Sequence, residues 1–233
     1  AQTMNYIKSL GLIPGQKAEL EPMQSTKEEF IKFIATGKEE ELSTHADHFV
    51  TNSAYGVASY MKGSLCLFEL KYICGDEAFE KGMLSYYWKW RFRHPNPNDF
   101  FRTIEQASDL ELDWFKEYWV YTKKTIDYRV DTCFEKDGQS VIRLKRIGLF
   151  PMPIDLKVNT DKTELNFTIP LDIMRGFKKS KELKVLDPWH WVNPIYEFRI
   201  DIPLKKIKEV RIDPKNQLVD IAPENNVWIR NED

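Results

Sequence analysis

The sequence predicts an α+β protein in which an N-terminal all-helical domain, residues 1–124, is followed by an antiparallel β-sandwich, residues 125–233. Apolar residues recur at helical spacing through the first part of the chain, with capping residues between the runs. At Thr125 the pattern changes to an alternation of apolar and polar residues that is typical of half-buried strands. Beyond it, short alternating runs are separated by turn residues without a helical pattern, which favours antiparallel sheets over a parallel one.

The composition is that of a globular protein with packed cores. Of the 233 residues, 42% are hydrophobic and 13% aromatic, which suffices for the cores of two ordinary domains. Because 34 Lys and Arg are matched by 36 Asp and Glu without a basic block, a nucleic-acid partner is not expected. No apolar run approaches the roughly 20 residues of a membrane span, and residues 1–4 lack signal-peptide features. Since the sequence does not start with Met, we expect a processed product or a piece of a longer protein.

Two helices are predicted before residue 50. A weak helical pattern runs from Gln2 to Leu12 and ends in a loop that contains Gly and Pro. Ser25 and Glu28 have capping-box spacing before an amphipathic run that extends to Ala35.

A long central helix is predicted from Asn52 to Gly75, and we regard it as the element around which the chain is organised. One face carries an apolar series with alternating spacings of four and three residues. Its members are Ala54, Ala58, Met61, Leu65, Phe68 and Tyr72. A second series lies two residues further on and points to the opposite side, because each residue turns an α-helix by about 100°. Its members are Gly56, Tyr60, Gly63, Leu67, Leu70 and Cys74. A helix that is apolar on two sides is expected to be buried.

On the second face, Tyr60 is bracketed by Gly56 and Gly63. A glycine inside a helix costs roughly 1 kcal/mol relative to Ala, so we expect another group to approach the backbone there. That group is either a packed helix or the occupant of a cleft in which the Tyr60 phenol takes part in chemistry. The spacing alone leaves both interpretations open.

Three more helices complete the predicted helical part. A Gly-Asp corner at residues 75–76 starts a helix that ends before a Pro-containing break at residues 94–97. Asn98 or Asp99 is expected to cap the next helix, and Asp113 the last. The alternating pattern then predicts short strands at 126–131, 141–147, 154–158, 165–169, 183–186, 196–202, 207–212 and 227–229.

Few residues suggest chemistry by spacing alone. His45 and His48, with Asp47 between them, are the only close histidine pair, and a metal site would need a third ligand. Because no His-Glu-x-x-His segment is present, hydrogen bonding within a loop is favoured over metal binding, and either role is compatible with His45 lying near a substrate.

Nucleophilic and phosphate-binding motifs are also missing from the sequence. No Gly-x-Ser-x-Gly elbow and no phosphate-binding glycine loop is present. Cys66, Cys74 and Cys133 are expected to be buried thiols rather than nucleophiles. The Trp189-His190-Trp191 segment either packs over a sandwich edge, which is favoured, or forms an aromatic recognition surface.

Several segments together resemble the aminopeptidase N family of zinc metallopeptidases, which are gluzincins. Residues 60–64, Tyr-Met-Lys-Gly-Ser, resemble the family's Tyr-x-Lys-Gly-Ala stretch, and residues 75–79 resemble its Gly-x-x-x-Phe corner. The Asp113-Trp114-Phe115 and Tyr118-Trp119 pairs are similar to its Asp-Trp-Phe...Trp segment, and residues 43–45 to its Ser-Ser-His loop. The resemblance is closest to the bacterial branch.

The resemblance implies a fold and a chemistry. Residues 1–124 would be half of a thermolysin-like catalytic domain. Tyr60 would hydrogen-bond the oxyanion of the tetrahedral intermediate beside zinc, as a catalytic residue, and His45 would contact the substrate. The parent enzyme would use zinc to hydrolyse N-terminal peptide bonds, in an extracytoplasmic, periplasmic location.

The resemblance also implies that this chain is incomplete. The family's His-Glu-x-x-His motif, its third Glu ligand and its Gly-x-Met-Glu-Asn segment do not occur in it. The chain is therefore expected to be an inactive C-terminal fragment that holds no metal itself. Its implied partners are an upstream zinc-bearing catalytic segment and the peptide substrate of the parent enzyme.

A non-catalytic binding or scaffolding module is the alternative, with Trp189 and Trp191 as anchors. A fragment would expose apolar surface near Tyr60, with a homodimer that covers the surface as one outcome and disorder in the first helices as another.

Overall fold

The computed structural model describes residues 23–230, which divide into two compact units with the boundary between Leu67 and Phe68. The helix that the sequence predicts over residues 2–12 lies outside the described residues. The predicted domain boundary at residues 124 and 125 stays a prediction, although the described helices end at Tyr121 and the first strand begins at Tyr128.

The described part of the first unit is helical. It contains α1 (Gln24–Ile34), a 3₁₀ turn (Ala46–His48), α2 (Asn52–Gly56), a π-helical segment (Val57–Lys62) and the start of α3 (Gly63–Cys74). Helix α1 begins one residue before Ser25, so the capping role expected for Ser25 is wrong, and the preceding Met23 provides no side-chain cap. Thr51 caps α2, because its hydroxyl oxygen accepts a hydrogen bond from the Ala54 backbone N–H at 3.0 Å.

Three further helices begin the second unit: α4 (Asp76–Trp90), α5 (Pro97–Ser108) and α6 (Asp113–Tyr121). The sequence predicted these three helices, but the residues at their N-terminal ends differ from those that were expected to cap them. Gly75, with a φ of +81°, takes the position before α4, where the sequence suggested Asp76. Asn96 caps α5 in a capping box with Asp99. Helix α6 is preceded by Leu112 rather than capped by Asp113.

The remainder of the second unit consists of two sheets. The strands are β1 (Tyr128–Lys136), β2 (Gln139–Arg146), β3 (Ile154–Thr160), β4 (Glu164–Ile169), β5 (Lys184–Val185), β6 (Ile195–Ile200), β7 (Ile207–Ile212) and β8 (Val227–Ile229). One sheet has the order β1-β2-β6 and the other β5-β4-β3-β7-β8. All pairs are antiparallel except β4 with β5, which is parallel. The α+β class is confirmed, with this one parallel pair in an otherwise antiparallel arrangement.

Aromatic side chains fill the space between the sheets. Phe167 of β4 lies against Phe198 of β6 with ring centroids 5.6 Å apart. Tyr128 of β1 is fully buried and meets Trp189 edge to face at 5.5 Å. Such contacts between two inner faces are typical of a sandwich core.

Within the second unit, buried polar contacts join the helices to the sheets. The Tyr72 hydroxyl donates to the Pro153 carbonyl at 3.1 Å and accepts from the Asp155 N–H at 2.8 Å. The Glu69 carboxylate accepts a hydrogen bond from the Val219 N–H at 2.5 Å. Residues from Phe68 onward in α3 are therefore fixed to the sandwich by specific contacts. No helix in the part of the chain that the structure describes is long and apolar enough to cross a membrane.

Candidate functional site

Tyr60 lies in the π-helical segment Val57–Lys62 and is 69% exposed. Its ring meets the Tyr55 ring edge to face, with centroids 6.2 Å apart, and Tyr55 meets Phe49 in the same way at 5.5 Å. Hydrogen bonds between residues i and i+5 are uncommon and often mark functional positions. The Gly63 N–H, for example, bonds the Ala58 carbonyl five residues earlier.

The expectation that this helix is buried on two sides is confirmed at its end, where Leu70 and Cys74 of the second face are buried, and is wrong at Tyr60. On the first predicted face Ala54, Ala58, Leu65 and Tyr72 are buried, as the spacing indicated. The second face is open at Tyr60, because the π turn interrupts the α-helical period on which the prediction was based.

No described residue packs against the glycines that flank Tyr60. Among the described residues, nothing lies within 4 Å of a Cβ built on Gly56, and a Cβ on Gly63 would meet only the Ala58 carbonyl of the same helix at 4.0 Å. The expected close approach to the backbone at these glycines is therefore not found in the described part of the chain. Among the described residues of the first unit, the Tyr60 ring contacts Tyr55, and the side chain is otherwise mostly exposed.

A buried ion pair anchors the end of the π segment. The Lys62 ammonium lies 2.7 Å from a carboxylate oxygen of Glu39, and the two side chains are only 5% and 8% exposed. Because two charges have been removed from water, loss of either partner would weaken the compensation of the other buried charge. Sequence reasoning missed Glu39, since a contact over 23 residues of chain leaves no local spacing signal.

His45 starts the 3₁₀ turn that precedes the helix. Its Nδ1 accepts a hydrogen bond from the Asp47 N–H at 3.3 Å, and its ring centroid lies 5.3 Å from that of His48. The side chain is largely exposed. This geometry matches hydrogen bonding within the loop, which was the favoured interpretation of the pair.

Zinc does not fit the donors present in the described residues. The one group of three His, Cys, Asp or Glu donors found there consists of Glu105, Glu111 and Asp113, without a histidine or a cysteine. Glu105 accepts from the Leu112 N–H at 2.9 Å, Glu111 accepts from the Asp113 N–H at 3.2 Å, and Lys116 lies 2.5 Å from Asp113. These contacts engage the three carboxylates with residues at the start of α6. Burial also raises the pKa of Glu105.

The three cysteines are buried, as predicted. Burial raises the pKa of Cys74 to about 11 and that of Cys133 to about 12. Thiols that stay protonated at neutral pH are poor nucleophiles, so these two are structural groups.

The Trp189-His190-Trp191 segment packs against the sandwich. Trp189 is 2% exposed, stacks on Tyr196 at 5.2 Å and donates from its indole N–H to the Asn193 carbonyl at 2.8 Å. Its suggested use as an interaction anchor is therefore wrong, because its whole side chain serves the core. His190 bonds Asp172 through Nδ1 at 2.9 Å. Burial acts to raise the pKa of Asp172, but hydrogen bonds from His190 and two backbone N–H groups hold it below its ordinary value.

Known proteins are similar to this chain in the segments around Tyr60. The model of the Peptidase family M1 domain matches residues 15–119, a range that contains the Tyr60 segment, the corner at Gly75 and most of α6. This chain is related to the M1 aminopeptidases. The resemblance noted in the sequence is thus confirmed at the level of the family relationship.

Two individual proteins are similar to parts of this chain. Aminopeptidase N of Lactobacillus delbrueckii subsp. lactis is 22% identical over 176 residues, which cover 70% of this chain and 20% of that protein. The crystal structure of Legionella pneumophila aminopeptidase A in complex with aspartic acid superposes with a TM-score of 0.50 at 11% identity, covering 74% of this chain and 18% of that one. The second likeness supports the fold. The chain spans about a fifth of the length of these two proteins.

Proposed function

We propose that this chain acts as part of a zinc-dependent aminopeptidase that hydrolyses N-terminal peptide bonds, and that it contributes Tyr60 to the reaction. The M1 relationship gives the class of reaction. The observation that carries the proposal is the exposed Tyr60 phenol on a π turn whose last residue, Lys62, is anchored by the buried carboxylate of Glu39.

Tyr60 has the chemistry for stabilising a transition state. Attack of water on a peptide carbonyl places negative charge on the carbonyl oxygen, and a phenol O–H can donate a hydrogen bond to that oxygen. A donor fixed in advance stabilises the charge as it develops without having to reorganise, so it lowers the barrier more than it strengthens substrate binding. The anchored turn and the edge-on Tyr55 ring are the features that would fix the direction of Tyr60.

Zinc would have to be held by residues other than those described here. In M1 enzymes the metal supplies the activated water, and the described residues of this chain do not fit it. We therefore assign the metal to an upstream segment of a longer product and assign no metal ligand to this chain. His45 is proposed as a substrate contact, because its exposed ring is held in place by the Asp47 N–H in the loop before α2.

The test is a comparison of the chain alone with the chain joined to its zinc-bearing upstream segment. Alone, it is expected to bind no stoichiometric zinc in elemental analysis and to leave aminoacyl p-nitroanilides intact. Joined, it should hydrolyse them. Tyr60→Phe in the joined protein should then lower kcat by about 10²–10³, the loss typical of one oxyanion donor.

Tyr55→Phe is the matched control, because it removes the same hydroxyl group from the neighbouring ring in the first unit. It should leave kcat within about threefold of the parent, the change expected when no transition-state contact is lost. Equal kcat for the Tyr60→Phe variant and the parent would remove Tyr60 from the mechanism. A joined protein that binds peptides but cleaves none would instead support the non-catalytic binding module.

A further inference from the structure

An exposed aromatic stripe is formed by Leu84, Tyr87 and Trp88 of α4 together with Phe92, which follows two residues after the helix ends at Trp90. These four side chains are between 56% and 99% exposed, and Phe92, the most exposed, has a left-handed backbone with a φ of 60°. A bulky residue rarely adopts this conformation. The stripe lies in the second unit and is distinct from the Tyr60 surface on which the sequence analysis placed an apolar patch.

The stripe faces away from the part of α4 that is packed. Gly82 marks the packed side, since a Cβ there would lie 2.8 Å from the Ile104 side chain of α5. At about 100° per residue, Leu84, Tyr87 and Trp88 lie on the opposite side of the helix. A helix that is apolar on two sides is ordinarily covered on both.

Charged residues mark the two ends of the stripe with opposite signs. Glu80 lies on the same side of α4 at its start, beside Asp76, and both carboxylates lie within 4 Å of Lys71. Arg91 lies at the end of the helix, where its guanidinium stacks on the Trp88 ring at 4.2 Å. Lys89 and Arg93 add further positive charge near that end.

We propose that the aromatic stripe is a self-association surface on which a second copy of this chain docks with its α4 antiparallel. In a two-fold arrangement each end of the stripe meets the opposite end of the other copy, so that Glu80 of each copy faces Arg91 of the other and Leu84 faces Tyr87. Glu80 and Asp76 outnumber the single Lys71 at the start of the stripe, and the opposite end is basic, so the charges favour this antiparallel orientation. A lipid surface would call for basic residues at both ends, and this stripe has an acidic one.

The exposed side chains are large enough to matter for such an interface. Each aromatic residue can bury about 150–250 Å² when it is fully covered. Tyr87 and Trp88 are only 56% and 60% exposed, so together with Phe92 they can add roughly half of the ~800 Å² per partner in a standard interface. The inference is independent of the aminopeptidase proposal, because it uses only α4 and its exposed face.

Sedimentation velocity of the full chain at low salt tests the proposal. Interfaces of this size commonly dissociate in the micromolar range or below, so a concentration series from about 1 µM to about 200 µM should show a reversible monomer–dimer equilibrium. Trp88→Ala should weaken the dimer at least about tenfold, since a central aromatic residue is the expected hot spot.

A charge exchange tests the antiparallel geometry. Glu80→Arg alone should weaken the dimer about tenfold by placing like charges opposite each other, and the double change Glu80→Arg with Arg91→Glu should restore it to within about threefold. Arg102→Glu and Glu117→Arg, at exposed positions on α5 and α6, are the matched controls and should have no effect. Circular dichroism of each variant confirms that it is folded.

Three results would overturn the proposal. The first is a monomer at every concentration, and the second is a dimer that Trp88→Ala does not weaken. The third is a double charge variant that stays as weak as Glu80→Arg. Cosedimentation of a monomeric chain with phosphatidylserine vesicles, abolished by Trp88→Ala, would assign the stripe to a lipid surface instead.

Discussion

Tyr60 in the first unit and Tyr128 in the second carry the same side chain in opposite surroundings. Tyr128 is fully buried, and its hydroxyl donates to the Met152 carbonyl at 3.1 Å and accepts from the Met152 N–H at 2.7 Å. Burial raises the pKa of Tyr128 well above its ordinary value. Tyr60 is mostly exposed on the π turn, whose last residue, Lys62, forms a buried ion pair with Glu39. The Tyr128 hydroxyl is thus occupied by hydrogen bonds within the core, whereas the Tyr60 side chain is accessible at the surface.

The largest expected effect on stability comes from the ion pair behind Tyr60. Glu39→Gln leaves Lys62 buried without its carboxylate, which should lower the free energy of unfolding by about 3–5 kcal/mol. Urea denaturation followed by far-UV circular dichroism measures the loss.

Two further variants make the Glu39 result specific. Adding Lys62→Met to Glu39→Gln removes the buried ammonium whose carboxylate partner is lost and should recover most of the loss. Glu197→Gln breaks the half-exposed pair with Arg143, whose atoms lie 2.5 Å apart, and should cost less than about 1 kcal/mol. If the Glu39 and Glu197 variants were equally stable, the π segment would not depend on its ion pair.

The next largest effect is a pH dependence of stability that arises from Asp220, whose carboxylate contacts the Tyr128 backbone. Burial raises the pKa of Asp220 from an ordinary value near 3.8 to about 6, although the N–H groups of Ala222 and Tyr128 donate to its carboxylate. A raised pKa means that the folded state holds this proton more tightly than the unfolded state. The contribution of Asp220 to stability is therefore most favourable below pH 4 and declines as the pH rises through about 6.

The pH effect of Asp220 can be isolated by difference. Between pH 4 and pH 7 the decline should be on the order of 3 kcal/mol, because each pKa unit corresponds to about 1.4 kcal/mol. The difference in unfolding free energy between the parent chain and Asp220→Asn, measured in urea at several pH values, should follow this curve. A difference that is constant with pH would show that Asp220 ionises normally.

The smallest effect contrasts the two tyrosines directly. Tyr128→Phe leaves the buried N–H and carbonyl of Met152 without the hydroxyl, so it should cost about 1–3 kcal/mol. Tyr60→Phe should change the unfolding free energy by less than about 0.5 kcal/mol, as is usual for exposed positions. The same pair of variants should show the reverse order in kcat of the joined protein. Thermal unfolding of both variants under one buffer condition gives the comparison.

Local sequence features anticipated much of the architecture. The change of period near Thr125, the helix breaks at Gly75 and around Asn96, and the segment that contains Tyr60 are all readable within a few residues. The cap assignments were displaced by one to three residues: Asn96 accepts from the Asn98 and Asp99 N–H groups, and the residues before α1, α4 and α6 provide no side-chain cap.

The remaining features depend on contacts between distant parts of the chain. Glu39 meets Lys62 over 23 residues, and Asp220 meets the Tyr128 N–H over 92. Neither contact has a spacing signature. The π turn also escaped prediction, because its residues fit an α-helical apolar series, and the turn is visible only in the hydrogen bond from the Gly63 N–H to the Ala58 carbonyl and in the exposure of Tyr60.

The π turn has a further consequence for how Tyr60 is aimed. Because its hydrogen bonds span five residues where an α-helix spans four, the turn holds one residue that the α-helices on either side do not need. Removing that residue, for example Ser59, would let α2 run into α3 as one regular helix and rotate the phenol to another side. The π turn thus sets the direction of the Tyr60 side chain independently of how α2 and α3 are packed.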